Sequence, residues 1–221
     1  MKRGLVISCS VLILLVGLTS AFYLKTYEKN KIEITNETKL VEWKQAQPDM
    51  KMLKTGDLIL RHGRGFISNA FMSLSTKEKN YSHAGIIHIE GQKVYVYHAI
   101  GGEENVDNKM RKDLIKDFCD PQYVHNFGIY RYDLNEKQLA TYDSMTTANY
   151  TKGLQFDTKL ELETDSVMYC SELIYKELQK VTGDPNYISI SDVANYKYIA
   201  IDNLYLNGHC TKIYTYNYTL K

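Results

Sequence analysis

Cys170, His83 and His98 are the residues of this chain whose types could act together as a catalyst. Thiol acyl transfer requires a thiol beside an imidazole, with a further polar group fixing that imidazole's tautomer. The imidazole takes the thiol proton while the sulfur attacks an acyl carbon. Cys170 stands in Tyr169-Cys170-Ser171-Glu172, ahead of an apolar stripe at helical spacing: Leu173, Ile174, Leu178 and Val181. The pattern predicts a helix starting near Asp165 or Ser166 and stopped by Gly183-Asp184-Pro185. Cys170 would then lie in its first turns, where unpaired N–H groups and the positive dipole end lower a thiol pKa. The same amides could serve an oxyanion.

The two histidines depend on a hairpin. Ser82 to Ile89 and Val94 to Ile100 read as strands, separated by the turn Glu90-Gly91-Gln92-Lys93. With the turn centred on Gly91-Gln92, residues whose numbers sum to 183 face each other, so His98 lies opposite Gly85. Period-2 alternation then puts His83 and His98 on one face as diagonal neighbours, roughly 7–8 Å apart at Cα. His88 falls on the other face, and Gly85 leaves room for a tilted imidazole. A register slip of one residue would separate the pair. Two other readings apply to the same residues. Cys170 could be an inert buried thiol, or the three side chains could bind zinc with an open position. His62, His88, His125 and His209 read as structural.

Around these residues the chain reads as a mixed α+β domain. Leu58-Ile59-Leu60 is a short buried strand after the turn Thr55-Gly56-Asp57, and Phe66 to Leu74 has helical spacing. Helices are expected over Asn108 to Phe118 and Asn135 to Tyr150, and strands over Phe127 to Tyr132, Tyr196 to Leu206 and Lys212 to Tyr218. Three segments result: residues 1–24, a linker and short helix at 25–54, and a catalytic domain at 55–221.

Composition narrows the function. Net charge is +1, from 27 basic and 26 acidic residues, which gives no concentrated basic footprint for nucleic acid. After Met1-Lys2-Arg3, an apolar run from Gly4 to Leu24 is long enough to span a bilayer. It reads as a signal anchor or as a signal peptide cut near Thr19-Ser20-Ala21, and its length favours the anchor. Either way the rest is exported to the cell envelope. In that compartment Cys119 and Cys210 are the natural disulfide couple if Cys170 stays free. No CxxC spacing suggests a structural metal, and neither a metal nor a cofactor is expected.

Four segments, in order, carry a family resemblance: Gly56-Asp57-Leu58-Ile59, Tyr81-Ser82-His83-Ala84-Gly85-Ile86-Ile87, Val94-Tyr95-Val96-Tyr97-His98-Ala99 and Tyr169-Cys170-Ser171-Glu172-Leu173-Ile174. Together they resemble the circularly permuted NlpC/P60 proteins of the papain-like superfamily, and most closely the YiiX/YebB-like branch, over roughly residues 50 to 200. Permutation accounts for His preceding Cys. The resemblance implies an antiparallel sheet packed against the helix that bears the nucleophile. It implies Cys170 as nucleophile, His83 as base and His98 as the orienting residue, where YiiX-like members often carry Glu. Tyr81 and Tyr169 flank the pair as candidate substrate-binding residues. The expected reaction is hydrolysis of an amide through a thioester, in cell-wall peptide stems or related small peptides. The alternatives are a lipid-directed thiol hydrolase or acyltransferase, and a non-catalytic peptidoglycan-binding module. A broad apolar groove beside Cys170, built from Phe66, Phe71, Met72 and Leu74, would favour the lipid alternative.

Overall fold

The computed structural model describes residues 34–102 and 105–219. The apolar run at 4–24 lies outside the described residues, and among those described no helix is long and apolar enough to cross a membrane. A six-stranded antiparallel sheet organises the domain, in the order β4-β3-β2-β1-β5-β8. Its strands are β1 (Leu58–Gly63), β2 (His83–Glu90), β3 (Lys93–His98), β4 (Arg111–Leu114), β5 (Val124–Tyr132) and β8 (Cys210–Asn217). A separate two-stranded ribbon, β6 (Ser191–Val193) and β7 (Tyr196–Tyr198), follows the longer helices.

Alternation along the central strands sorts their side chains onto two cores. Leu58, Leu60, Ala84 and Ile86 face one side, where Cys170, Ile174 and Leu178 pack on them. Ile59, Ile87, Val96, Phe127 and Ile129 face the other side, with Ala46, Ile115 and Phe118 over them. The first side is covered by α4 (Glu136–Thr151), α5 (Cys170–Thr182) and α6 (Ile201–Tyr205). The second is covered by α1 (Asn36–Ala46) and the single turn α3 (Ile115–Phe118). Helix α2 (Phe66–Ser73) lies at the end of β1 and buries none of its residues.

The expected hairpin register holds, with Ile86 opposite Tyr97, Ile87 opposite Val96 and His88 opposite Tyr95. Three expectations are corrected. Asn108 to Phe118 is not one helix, because Arg111–Leu114 pairs with β3 as an edge strand and only the last turn is helical. The helix expected from Asp165 begins at Cys170 instead. Gln155 bridges Val167 and takes the Met168 N–H, which keeps the chain extended up to the cap at Tyr169. Within Tyr196 to Leu206, a helix replaces the strand after Tyr198.

Helix α5 is fixed to α4 by a buried carboxyl. Glu177 accepts hydrogen bonds from the Thr146 hydroxyl at 2.6 Å and the Asn149 amide at 2.5 Å. Burial pushes its pKa up to about 7, against the opposing pull of those two donors. The folded state therefore prefers the protonated acid. Its stabilising contribution is full below the ordinary carboxyl pKa and is lost as pH rises through about 7. Glu177 accordingly contributes a falling component to the unfolding midpoint between pH 5 and 8, worth about 3 kcal/mol. The difference between wild type and Glu177→Gln in thermal melts across the range should show that component. Glu172, also raised to about 7 by burial, adds a component of the same sign, and the lowered His83 and His98 add components of the opposite sign below pH 6.5.

Candidate active site

His83 opens β2 and His98 closes β3, and the register places both rings on the Phe118 side of the sheet. Their rings meet edge to face, with His83 Nε2 2.9 Å from His98 Nδ1. A Cβ added at Gly85 would lie 2.4 Å from Val96 Cγ1 and 3.3 Å from His98 Cβ, so only glycine lets β3 carry His98 this close. Sequence reasoning missed the next partner. Asp113 of β4 lies opposite Val96, diagonal to His98, and its Oδ2 is 3.0 Å from His98 Nε2. Arg111 donates from Nε at 3.2 Å and from Nη2 at 2.9 Å to the other oxygen of that carboxylate. The false helix over 108–118 hid this residue. Read as a strand, the alternation Arg111-Lys112-Asp113-Leu114 would have put Asp113 and His98 on one face.

These contacts determine the protons. The Asp113 carboxylate, held below its ordinary pKa by His98 and Arg111 against the effect of burial, can only accept. His98 must therefore donate through Nε2 and accept through Nδ1. His83 must in turn donate through Nε2, which leaves its Nδ1 with a lone pair. Both rings are neutral at ordinary pH. Burial pushes His98 down to about 4, against the hydrogen bond to Asp113. His83 is well below its ordinary value, first through burial and then through the positive charge of Arg61. Arg61 is the strand partner of His83 and lies over the Phe118 ring.

Cys170 arrives from the opposite core as the first residue of α5. Pairing of β2 with β3 stops at Ile86 and Tyr97, and the Ala84 N–H beyond that point bears on the thiol. Ala84 follows His83 in the chain, about 3.8 Å away at Cα, so thiol and imidazole share one end of β2. No hydrogen bond joins them among the described residues, and Cys170 and His83 are only 6% and 9% exposed. The expected low thiol pKa is corrected. Burial raises it, outweighing the lowering from the Ala84, Ser171 and Cys170 amides.

The flanking tyrosines do not line an open cleft. Tyr81 is buried with its hydroxyl 3.2 Å from that of Tyr130, and the Tyr169 hydroxyl accepts the Ile199 N–H at 2.8 Å. Tyr169 and the Ser171 hydroxyl, which donates to the Ile199 carbonyl at 2.7 Å, anchor the start of α5 to the chain after β7. The expected Cys119–Cys210 disulfide is absent. Both thiols are free, in cores on opposite sides of the sheet. His88 lies on the other face as expected and bonds Asp143 at 2.6 Å. An open groove of about 600 Å³ beside it is lined by Ser144, Thr147 and Lys152 and does not reach Cys170.

A family model described as permuted papain-like amidase enzyme, YaeF/YiiX, C92 family, matches residues 52–196. Among solved structures, the crystal structure of metalloprotein YiiX from Escherichia coli O157:H7 superposes with a TM-score of 0.60 at 17% identity. The match covers 76% of this chain and 99% of that one, and at that identity it supports the fold alone. A search of curated proteins gave no match.

The neutral resting state has a direct readout. Alkylation of Cys170 by iodoacetamide, followed by peptide mass spectrometry, is expected to be slow at pH 7 and to accelerate only above the free-thiol pKa of about 8.5. A rate plateau below pH 7 would instead show a preformed thiolate–imidazolium pair.

Proposed function

The chain belongs to the permuted papain-like amidase family, and on that premise we propose that it hydrolyses an amide bond through a thioester on Cys170. The observation that carries the reading is the proton arrangement Asp113–His98–His83, which leaves a basic Nδ1 on the residue beside the thiol. As substrate binds, His83 Nδ1 takes the thiol proton while the sulfur attacks the amide carbon. The first amides of α5 and the Ala84 N–H receive the oxyanion. His83 then gives its proton to the leaving amine, and water, deprotonated by His83, releases the acid. Asp113 acts through His98. It holds the pair in the productive tautomer and faces the positive charge that His83 gains, the service a carboxylate at position 98 would otherwise give. Contacts between thiol and base that are long before substrate arrives are ordinary for such sites.

Cell-wall peptide stems or related small peptides are the substrate class that the resemblance and the apolar N-terminal run favour, with the domain held at the outer face of the membrane. A lipid-directed hydrolase is the second reading. It is favoured by α2, whose Phe66 and Leu74 are exposed rather than core. Zinc held by His83, His98 and Cys170 does not fit the donor set. The facing nitrogens of the two rings bond each other, and the remaining nitrogen of His98 bonds Asp113. No step is routed through a metal.

The test is turnover of a panel of muropeptides and acylated amines by the full chain, with intact-protein mass spectrometry to capture an acyl group on Cys170. Cys170→Ala should abolish both signals. Release of product by Cys170→Ala would overturn the thioester. Asp113→Asn should lower kcat by about 100-fold or more with KM little changed, and Asp113→Glu should restore part of it. Because His83 stays neutral well below its ordinary range, the acid limb of kcat/KM is expected well below pH 6.5.

A further inference from the structure

Helix α2 is the most apolar helix surface at the site and the least covered. Its sequence Phe66-Ile67-Ser68-Asn69-Ala70-Phe71-Met72-Ser73 buries no residue, and Phe66, Ile67 and the following Leu74 are 62%, 57% and 40% exposed. Spacing of three and four residues puts Phe66, Ile67, Ala70 and Leu74 on one outward stripe. The β6–β7 ribbon is tied to its end, where the Tyr198 hydroxyl donates to the Leu74 carbonyl at 2.9 Å. Exposed apolar surface of this kind marks a contact with something else.

We propose that α2 is a membrane-contacting helix, seated in the headgroup region of a lipid bilayer with its apolar stripe toward the acyl chains. Four observations identify a bilayer as the occupant. The apolar run at 4–24 has the length of a membrane span. Only residues 25–33 separate it from the described chain, a reach of at most about 30 Å. A relay of contacts also joins α1 to the segment before α2: Lys39 contacts Asp120 at 3.1 Å and lies over the Tyr123 ring, and the Tyr123 carbonyl accepts the Arg64 N–H. Arg64 is two residues before the stripe. Finally, Lys77 and Lys79 are exposed just past the end of α2, flanking Glu78, so that segment keeps a net positive charge where anionic headgroups would lie.

The arrangement shares with an interfacial helix an apolar face and flanking lysines. It also orients the domain. Helix α2 leaves β1 two residues after Arg61, the partner of His83, and its far end bonds the strand that leads to Ile199 beside Cys170. Docked this way, the end of the sheet that carries Cys170 and His83 faces the membrane surface. The inference concerns where the domain rests and does not depend on which bond it cleaves.

The experiment places an indole on the stripe, as Ile67→Trp in a Trp43→Phe background, in the full chain reconstituted into phosphatidylcholine–phosphatidylglycerol vesicles. Fluorescence is compared between ordinary and brominated lipids. Wild type, whose single Trp43 packs against the core on Phe127, is the reference. Bromine is expected to quench the introduced indole severalfold more than Trp43. Equal quenching of the two, in chains that float with the vesicles, would mean that the N-terminal run alone holds the protein, and would overturn the proposal. Chains that do not float with the vesicles at all would overturn it too. Turnover is not part of the readout, so neither result bears on the thioester reading.

Discussion

The hydrogen bond from His98 Nε2 to Asp113 sets the state of everything inward of it. A carboxylate cannot donate, so it fixes the tautomer of His98, and that tautomer fixes His83. The result is a neutral base whose free nitrogen is defined by an edge-strand residue two side chains away. Neutrality matters as much as orientation. Both rings are buried next to Arg61, and a proton on either would add a second positive charge in a place poor in water. Asp113 is partly exposed and braced by Arg111, so the one charge that the relay holds at rest sits where solvent helps to carry it.

Cys170 experiences the same desolvation with the opposite chemical consequence. Burial disfavours the thiolate just as it disfavours the imidazolium, so thiol and base are both uncharged at rest. The opening in the sheet beyond Ile86 and Tyr97 supplies the Ala84 amide, and the start of α5 supplies two more. These amides become strong only when negative charge appears on sulfur or on an adjacent oxygen. In the proposed reaction, a site built this way would develop its charge along the reaction rather than store it in the ground state. It also explains the heavy scaffolding of α5, whose Tyr169 and Ser171 clasp Ile199 and whose Glu177 is locked to α4.

The exposed stripe on α2 belongs to the same end of the molecule as these groups, because β1 and β2 are paired there through Arg61 and His83. One short helix therefore links the surface of the domain to the end of the sheet that holds His83 and the neighbouring Cys170. The two cores behind it are formed by ordinary alternation along β1 and β2 and leave little freedom in how that end is presented.

Much of this was legible in the sequence. The turn Gly91-Gln92 and the alternation on either side of it determine the β2–β3 register, and with it the shared face of His83 and His98, because side-chain period and turn length are local properties. Asn135 before one helical stretch, and Gly183 after an amphipathic one, mark helix ends by capping chemistry that is also local. Other features were decided only by tertiary structure. Arg111–Leu114 has no strong strand signal and becomes a strand because β3 offers a free edge, and Asp113 reaches His98 only as a consequence. Helix α5 starts at Cys170 rather than Asp165 because Gln155, distant in sequence, holds Val167 and Met168 extended. The protonation of the site belongs to this second class as well. A helix N-terminus alone argues for a thiolate, but burial between layers assembled from the whole chain outweighs it.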